Sequence, residues 1–173
     1  MTITTGALPS GVFVSGNEVV GNQGGATKRL TLSTAGLSDV EEDVLWTPTL
    51  YGTTTAGVTT YTQQAGTYNK VGNLVVLNFS ILWSNLTGTG FARIGGLPYT
   101  AKNFSGSFRF GLAVSYYNSL SLPAGKTLGG YIQDNTNYIA LLNFDNLTAN
   151  DATDIQTELT TAGELYGSIT YTV

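Results

Sequence analysis

Leu74-Val75-Val76-Leu77-Asn78-Phe79-Ser80-Ile81-Leu82-Trp83 is the stretch whose reading decides the fold. Val75, Leu77, Phe79, Ile81 and Trp83 share one parity and are all large and apolar. Asn78 and Ser80 fall on the other parity, with Val76 and Leu82 beside them. Successive side chains of a strand point to opposite faces, so a period of two this long predicts a half-buried strand with one row against a core.

The same period recurs on both sides. Downstream, Phe108, Phe110, Leu112, Val114 and Tyr116 alternate with Ser107, Arg109, Gly111, Ala113 and Ser115, which predicts a central strand. Leu165, Gly167, Ile169, Tyr171 and Val173 alternate with Tyr166, Ser168, Thr170 and Thr172, so the sequence closes on a strand tied into a sheet. Residues 127–133 and 138–144 predict a hairpin around Asp134-Asn135-Thr136-Asn137, residue types that tolerate left-handed backbone. Upstream, residues 46–51 read as an edge strand or strand start marked by Pro48. Residues 59–64 read as a further strand, and 66–71 lead through Gly72-Asn73 into the decisive one. Phe91-Ala92-Arg93-Ile94 follows the turn Thr87-Gly88-Thr89-Gly90. Short strands separated by turns at intervals of about 8–12 residues predict an all-β, antiparallel β-sandwich or jelly roll of two packed sheets. Residues 145–164 have weak periodicity, which leaves a short helix at 152–160 or a loop.

Residues 1–45 differ from the rest and read as a short extended N-terminal arm, with the β-sandwich domain occupying 46–173. Two short strands, 18–20 and 28–32, flank the glycine-rich Gly21-Asn22-Gln23-Gly24-Gly25. Ser38 and Glu41 have capping-box spacing, so Leu37 to Leu45 reads as a helical turn or two, or as a solvated connector carrying Asp39, Glu41, Glu42 and Asp43.

Composition narrows the function. The chain has 173 residues, about one domain's worth. Charged residues make up 10%, against about 25% in an average globular domain, and there are 22 glycines. Without cysteine there is no disulfide framework, thiolate zinc site or cysteine nucleophile. Without histidine there is no Ser-His-Asp triad and no imidazole ligand. A net charge of −4 with 7 Lys and Arg lacks the basic footprint of a nucleic-acid binder. No apolar run is long enough to span a membrane as a helix, so no membrane partner is expected. Met1-Thr2-Ile3-Thr4-Thr5 lacks the basic and apolar regions of a signal peptide, which predicts synthesis in a cytoplasm. The glycines of 21–25 lack phosphate-loop spacing, the acids of 145–154 lack the EF-hand order, and no cofactor or metal is expected. Paired carboxylates for glycoside hydrolysis would come from Asp134, Asp145, Asp151, Asp154, Glu158 and Glu164, all in turn-like segments, so the chain is not read as an enzyme.

An ordered set of segments carries a resemblance. Residues 46–52 (Trp46-Thr47-Pro48-Thr49-Leu50-Tyr51-Gly52) and 61–73 (Tyr61-Thr62-Gln63-Gln64 through Lys70-Val71-Gly72-Asn73) belong to it. So do Thr87-Gly88-Thr89-Gly90, Ile94-Gly95-Gly96-Leu97-Pro98-Tyr99 and Gly167-Ser168-Ile169-Thr170-Tyr171. In that order they resemble the trimeric β-sandwich knob at the C-termini of many phage tail fibres and tailspikes. Residues 16–32 resemble short lead-in modules of phage virion proteins. The resemblance implies a structural protein displayed on the virion surface, a homotrimer. Met1 stands only a short arm ahead of the knob, which favours a capsid decoration (cement) protein stabilising the head over a short tail fibre or fibre tip that recognises host surface glycan.

The candidate residues follow from these readings. Trp46, Tyr51, Tyr61 and Tyr68 stand among Thr and Gln, and either meet across a threefold interface or fill the subunit's own core. Val12, Phe13, Val14, Lys28 and Arg29 are candidates for attachment to a major capsid protein or another virion protein, although Lys28-Arg29 reads more simply as a solvated turn. Tyr116, Tyr117 and Asn118, with Tyr131, Asp134, Asn135, Asn137 and Tyr138, combine rings that stack on sugar C–H faces with groups that bond hydroxyls. The same residues also suit ordinary strands and turns.

Overall fold

The computed structural model describes residues 18–23, 26–31, 39–105, 107–120, 122–145, 152–154 and 162–173. The chain divides into two units, Met1–Val40 and Glu41–Val173. In the first, β1 (Glu18–Gln23) pairs antiparallel with β2 (Ala26–Thr31), from Glu18 opposite Thr31 to Gln23 opposite Ala26. Two residues separate Gln23 from Ala26, the commonest hairpin spacing. Val12, Phe13 and Val14 lie outside the described residues.

The second unit is all-β, as the alternation requires. Its strands are β3 (Val40–Trp46), β4 (Thr49–Gly52), β5 (Thr59–Val71), β6 (Leu74–Leu86), β7 (Ala92–Gly95), β8 (Arg109–Asn118), β9 (Lys126–Gln133), β10 (Ile139–Asp145), β11 (Ala152–Asp154) and β12 (Gly163–Thr172). They join in the order β3-β5-β6-β12-β8-β9-β10-β7-β4, with β11 on β10. The registers are antiparallel. Strand β8 belongs to both layers: Leu112 to Asn118 pair with β12, whereas Arg109 to Gly111 pair with β9. The sheet therefore folds along β8 into a β-sandwich of one curled sheet. Between the layers, Val75, Leu77, Phe79, Ile81 and Trp83 of β6 are each at most 5% exposed and share one core with Ile94, Ile132, Ile139 and Leu141.

Three expectations are corrected. The helical turn or connector over Leu37 to Leu45 is replaced from Val40 onward by strand β3. Local propensity is a weak prior, and burial of Trp46 at the end of that strand overrides it. Asp43 takes φ 51 within β3, and its N–H donates to Asn69 Oδ1 at 2.7 Å. The expected domain boundary after residue 45 thus falls inside β3.

The expected strand 46–51 is split. Pro48 cannot donate to a ladder, and here it lies fully buried where the chain leaves β3 for β4, at the other end of the sheet order. Gly96 (φ +83) packs on this crossing. A Cβ there would stand 2.2 Å from the Thr47 carbonyl oxygen, so only glycine fits.

Strand β8 is central in order, and Phe110, Leu112 and Val114 of its apolar row pack half-buried against the core, but the two ends of the row are open. Phe108 is 50% exposed and Tyr116 52%, because β8 forms the corner where the opposite layer falls away. The helix-or-loop segment 152–160 contains β11, and its remainder lies outside the described residues.

Candidate functional site

The β9–β10 turn is built by short-range bonds. The Gln133 carbonyl accepts from the Thr136 N–H at 3.2 Å and the Thr136 hydroxyl at 2.6 Å, and Asn135 adopts φ 59. The loop before β8 pins it from outside. The Asn135 N–H donates to Ala101 O (3.0 Å), the Ala101 N–H to Thr136 O (2.9 Å) and the Asp134 N–H to Phe108 O (2.9 Å). Asp134 is consequently buried, and Asn135 and Asn137 stay exposed. Tyr131 and Tyr138 flank the turn half-buried, each faced by a guanidinium. Arg109 lies 4.9 Å from the Tyr131 ring centre, and Arg93 lies 5.4 Å from Tyr138 and 5.6 Å from Phe91. Tyr51, opposite Arg93 in the β4–β7 register, has its phenol pushed above its ordinary pKa by burial and by neighbouring Tyr138. Rings beside exposed amides can stack on a sugar and bond its hydroxyls.

Tyr116, Tyr117 and Asn118 do not join this group. Gly111 pairs with Tyr131, and Tyr116 lies five residues further along β8, roughly 16 Å at the strand rise. There Tyr116 packs edge-on against Tyr166 at 5.7 Å, and Tyr117 and Asn118 are exposed. The proposed sugar-contacting residues therefore form two separate surfaces, one at each end of β8.

Of the rings on the early strands, two are buried within this subunit and two are half-buried. Trp46 and Tyr68 are each 7% exposed. Trp46 Nε1–H donates to Asn78 O at 3.1 Å, and the ring meets Phe79 edge-on at 6.4 Å. Tyr61 is half-buried, its hydroxyl accepting from the Leu50 N–H at 2.6 Å. Tyr51 is half-buried beside Gly95. Little ring surface is left on Trp46 or Tyr68 for another copy. In the N-terminal unit, Lys28 and Arg29 stand opposite Gly21 and Val20 in the β1–β2 register.

An aromatic group escaped the sequence reading. Phe104 is 47% exposed and packs on Phe108 at 5.2 Å, and Phe108 packs on Phe110 at 5.0 Å. Lys102 Nζ lies 5.8 Å from the Phe104 ring. Alternation reads Phe108 and Phe110 alike as one row of a central strand, yet Phe110 packs against the core and Phe108 is exposed. The contrary signal is Ser105-Gly106-Ser107, residue types that favour turns, standing between Phe104 and Phe108.

A second unforeseen cluster closes one end of the core. Glu41 accepts hydrogen bonds from the Tyr68 and Tyr99 hydroxyls, one on each carboxylate oxygen. The two rings meet edge-on at 5.9 Å, and buried Lys70 places its Nζ 5.5 Å from the Tyr99 ring. Tyr171 donates to Tyr99 O at 3.1 Å. The bonds to Glu41 raise the phenol pKa of Tyr68 and Tyr99, and burial raises that of Tyr171. The folded state thus holds these protons more tightly than the unfolded chain, whose tyrosines ionise near 10. Their stabilisation is whole below about pH 10 and is lost as pH climbs from there toward the raised folded values. Melting monitored from pH 7 to 12 should show these groups contributing a flat limb up to about pH 10 and a steep decline beyond. Replacing Tyr68 and Tyr171 by phenylalanine should shallow that decline. An unchanged decline would show that other groups cause it.

Among the described residues, no three His, Cys, Asp or Glu side chains gather as a metal site would require. No family model and no curated protein matches the chain. Among solved structures, the crystal structure of the Dettilon tailspike protein superposes with a TM-score of 0.60 at 18% identity. The match covers 75% of this chain and 23% of that one. The fold is similar to part of a phage tailspike. The likeness is one of backbone architecture: the chain spans less than a quarter of the tailspike's length.

Proposed function

We propose that this chain is a non-enzymatic surface protein of a bacteriophage virion, whose Glu41–Val173 unit is a rigid adhesive knob on the tail that works as an oligomer and contacts host surface glycan. The observation that carries the reading is the fold shared with part of a tailspike. The β9–β10 turn, with Tyr131, Tyr138, Asn135 and Asn137 presented on a pinned backbone, supplies the contact. The carboxylates Glu41 and Asp134 support an adhesive over a hydrolytic role, since one is engaged by two phenols and the other is buried in a turn. Purified protein should bind host cells, compete with infection, and lose both properties on Tyr138→Ala with Asn137→Ala. Absence of binding at micromolar protein would overturn the glycan reading, and shortening of host polysaccharide on incubation would overturn the non-enzymatic one.

Capsid decoration is the second reading. The division at Val40 supports it, since a separate small unit carrying Lys28 and Arg29 could clamp a shell. Imaging labelled protein on particles separates the two. Many copies over the head would establish decoration, and label confined to the tail would establish the first reading.

A further inference from the structure

We propose that the phenylalanine corner at the start of β8 is one half of a head-to-tail contact between copies of this chain, and that the acidic edge strand β3 of the neighbouring copy is the other half. The proposal deepens the oligomer in the reading above by naming its two faces.

The distribution of exposed charge carries it. Among the described residues of the second unit, the acids that stand exposed are Glu42 and Asp43, both on β3. The bases that stand exposed are Lys102 and Arg109, which bracket Phe104 and Phe108. The two sets lie on different elements of one subunit, the acids at β3, Arg109 on β8 and Lys102 in the loop before it. β5, β6 and β12 separate β3 from β8, roughly 19 Å at the usual strand spacing. Each set is also mixed with exposed apolar residues: Leu45 (80%) and Val40 (40%) on β3, Phe104 and Phe108 on the corner.

Symmetric pairing of like faces is disfavoured on both. Two β3 edges meeting would oppose their acids, and two corners meeting would oppose their cations. Acids on an end strand guard against such edge-to-edge association. A heterologous contact satisfies both faces at once and, repeated with rotation, closes a ring. The two phenylalanines expose on the order of 100 Å² each, enough for a central anchor of a standard interface of ~800 Å² per partner, with the charges as its rim.

Sedimentation of the full chain and its variants tests this. The wild type should assemble below about 100 µM. Phe104→Ser with Phe108→Ser should sediment as a monomer with an unaltered β-sheet circular-dichroism spectrum. Lys102→Glu, an exposed change that spares the core, should weaken assembly about tenfold or more. Adding Glu42→Lys to the Lys102→Glu chain should restore it, because the pair is reversed. A wild type that stays monomeric overturns the inference and the oligomer, while leaving virion location and cell binding to be judged by their own assays. Assembly indifferent to the serine changes, or charge effects that add without rescue, overturns the faces alone. If the serine variant assembles normally but no longer binds cells, the corner is a receptor contact and the inference fails.

Discussion

Trp46→Ala should lower the stability of the subunit by about 3–5 kcal/mol, the usual cost of deleting a large buried aromatic. For a chain of this length that is a fall in melting temperature of roughly 10 °C. Three losses combine: the ring's buried area, its edge-on contact with Phe79 and its bond to Asn78 O. The neighbours cannot collapse to fill the space, since the ring lies against Gly66, where an added Cβ would stand 2.4 Å from Nε1. Trp46→Phe should cost less, because it keeps most of the volume and forfeits the hydrogen bond, worth about 1 kcal/mol. Thermal melting with sedimentation distinguishes the ring's two sequence-level roles. A ring that serves the core changes the melting temperature at every protein concentration. A ring that serves an interface between copies would leave the dilute subunit's stability intact and shift only the association constant.

Glu41→Ala should destabilise by about 2–3 kcal/mol, a melting shift of roughly 5–10 °C. The mutation removes an acceptor and leaves the buried Tyr68 hydroxyl without its partner, a larger penalty than the net worth of the bond it made. Glu41→Gln should fall between, since the amide keeps one acceptor oxygen where the carboxylate offers two. In a cycle with Tyr68→Phe the two changes should couple by at least 1 kcal/mol, because removing both partners of that bond leaves only the Tyr99 hydroxyl, and no longer the Tyr68 hydroxyl, without its acceptor. Additivity of the two would show that the phenol finds another acceptor. The local consequence is fraying of β3 from its Glu41 end, readable as faster amide exchange in Val40 to Val44.

Much of this fold is legible in residue order. Val75 through Trp83 alternate because a strand with one covered face must, and the observed burial follows that parity residue by residue. The hairpin around Asp134-Asn135-Thr136-Asn137 was readable from turn chemistry that acts within four residues. The β3 strand was not readable. Its acids suit a helix start or a connector, and what holds it extended is Trp46 in the core and Glu41 between two phenols, partners 27 and 58 residues away. The same limit explains the corner. Phe108 shares its parity with Phe110, which packs on the core, and alternation does not show where the opposite layer ends.

Of the candidate surfaces, residue types were legible and grouping was not. Tyr116 and Tyr131 sit on neighbouring strands, yet antiparallel register places them at opposite ends of β8.

Residue order alone determined that this protein is an antiparallel all-β body without thiol or imidazole chemistry, since side-chain parity, turn residues and composition are local properties. Tertiary structure decided which rings are core and which are surface, and where the chain crosses between layers at Pro48. Those features depend on contacts between residues distant in sequence, whose energies come from burial and pairing that no single segment encodes.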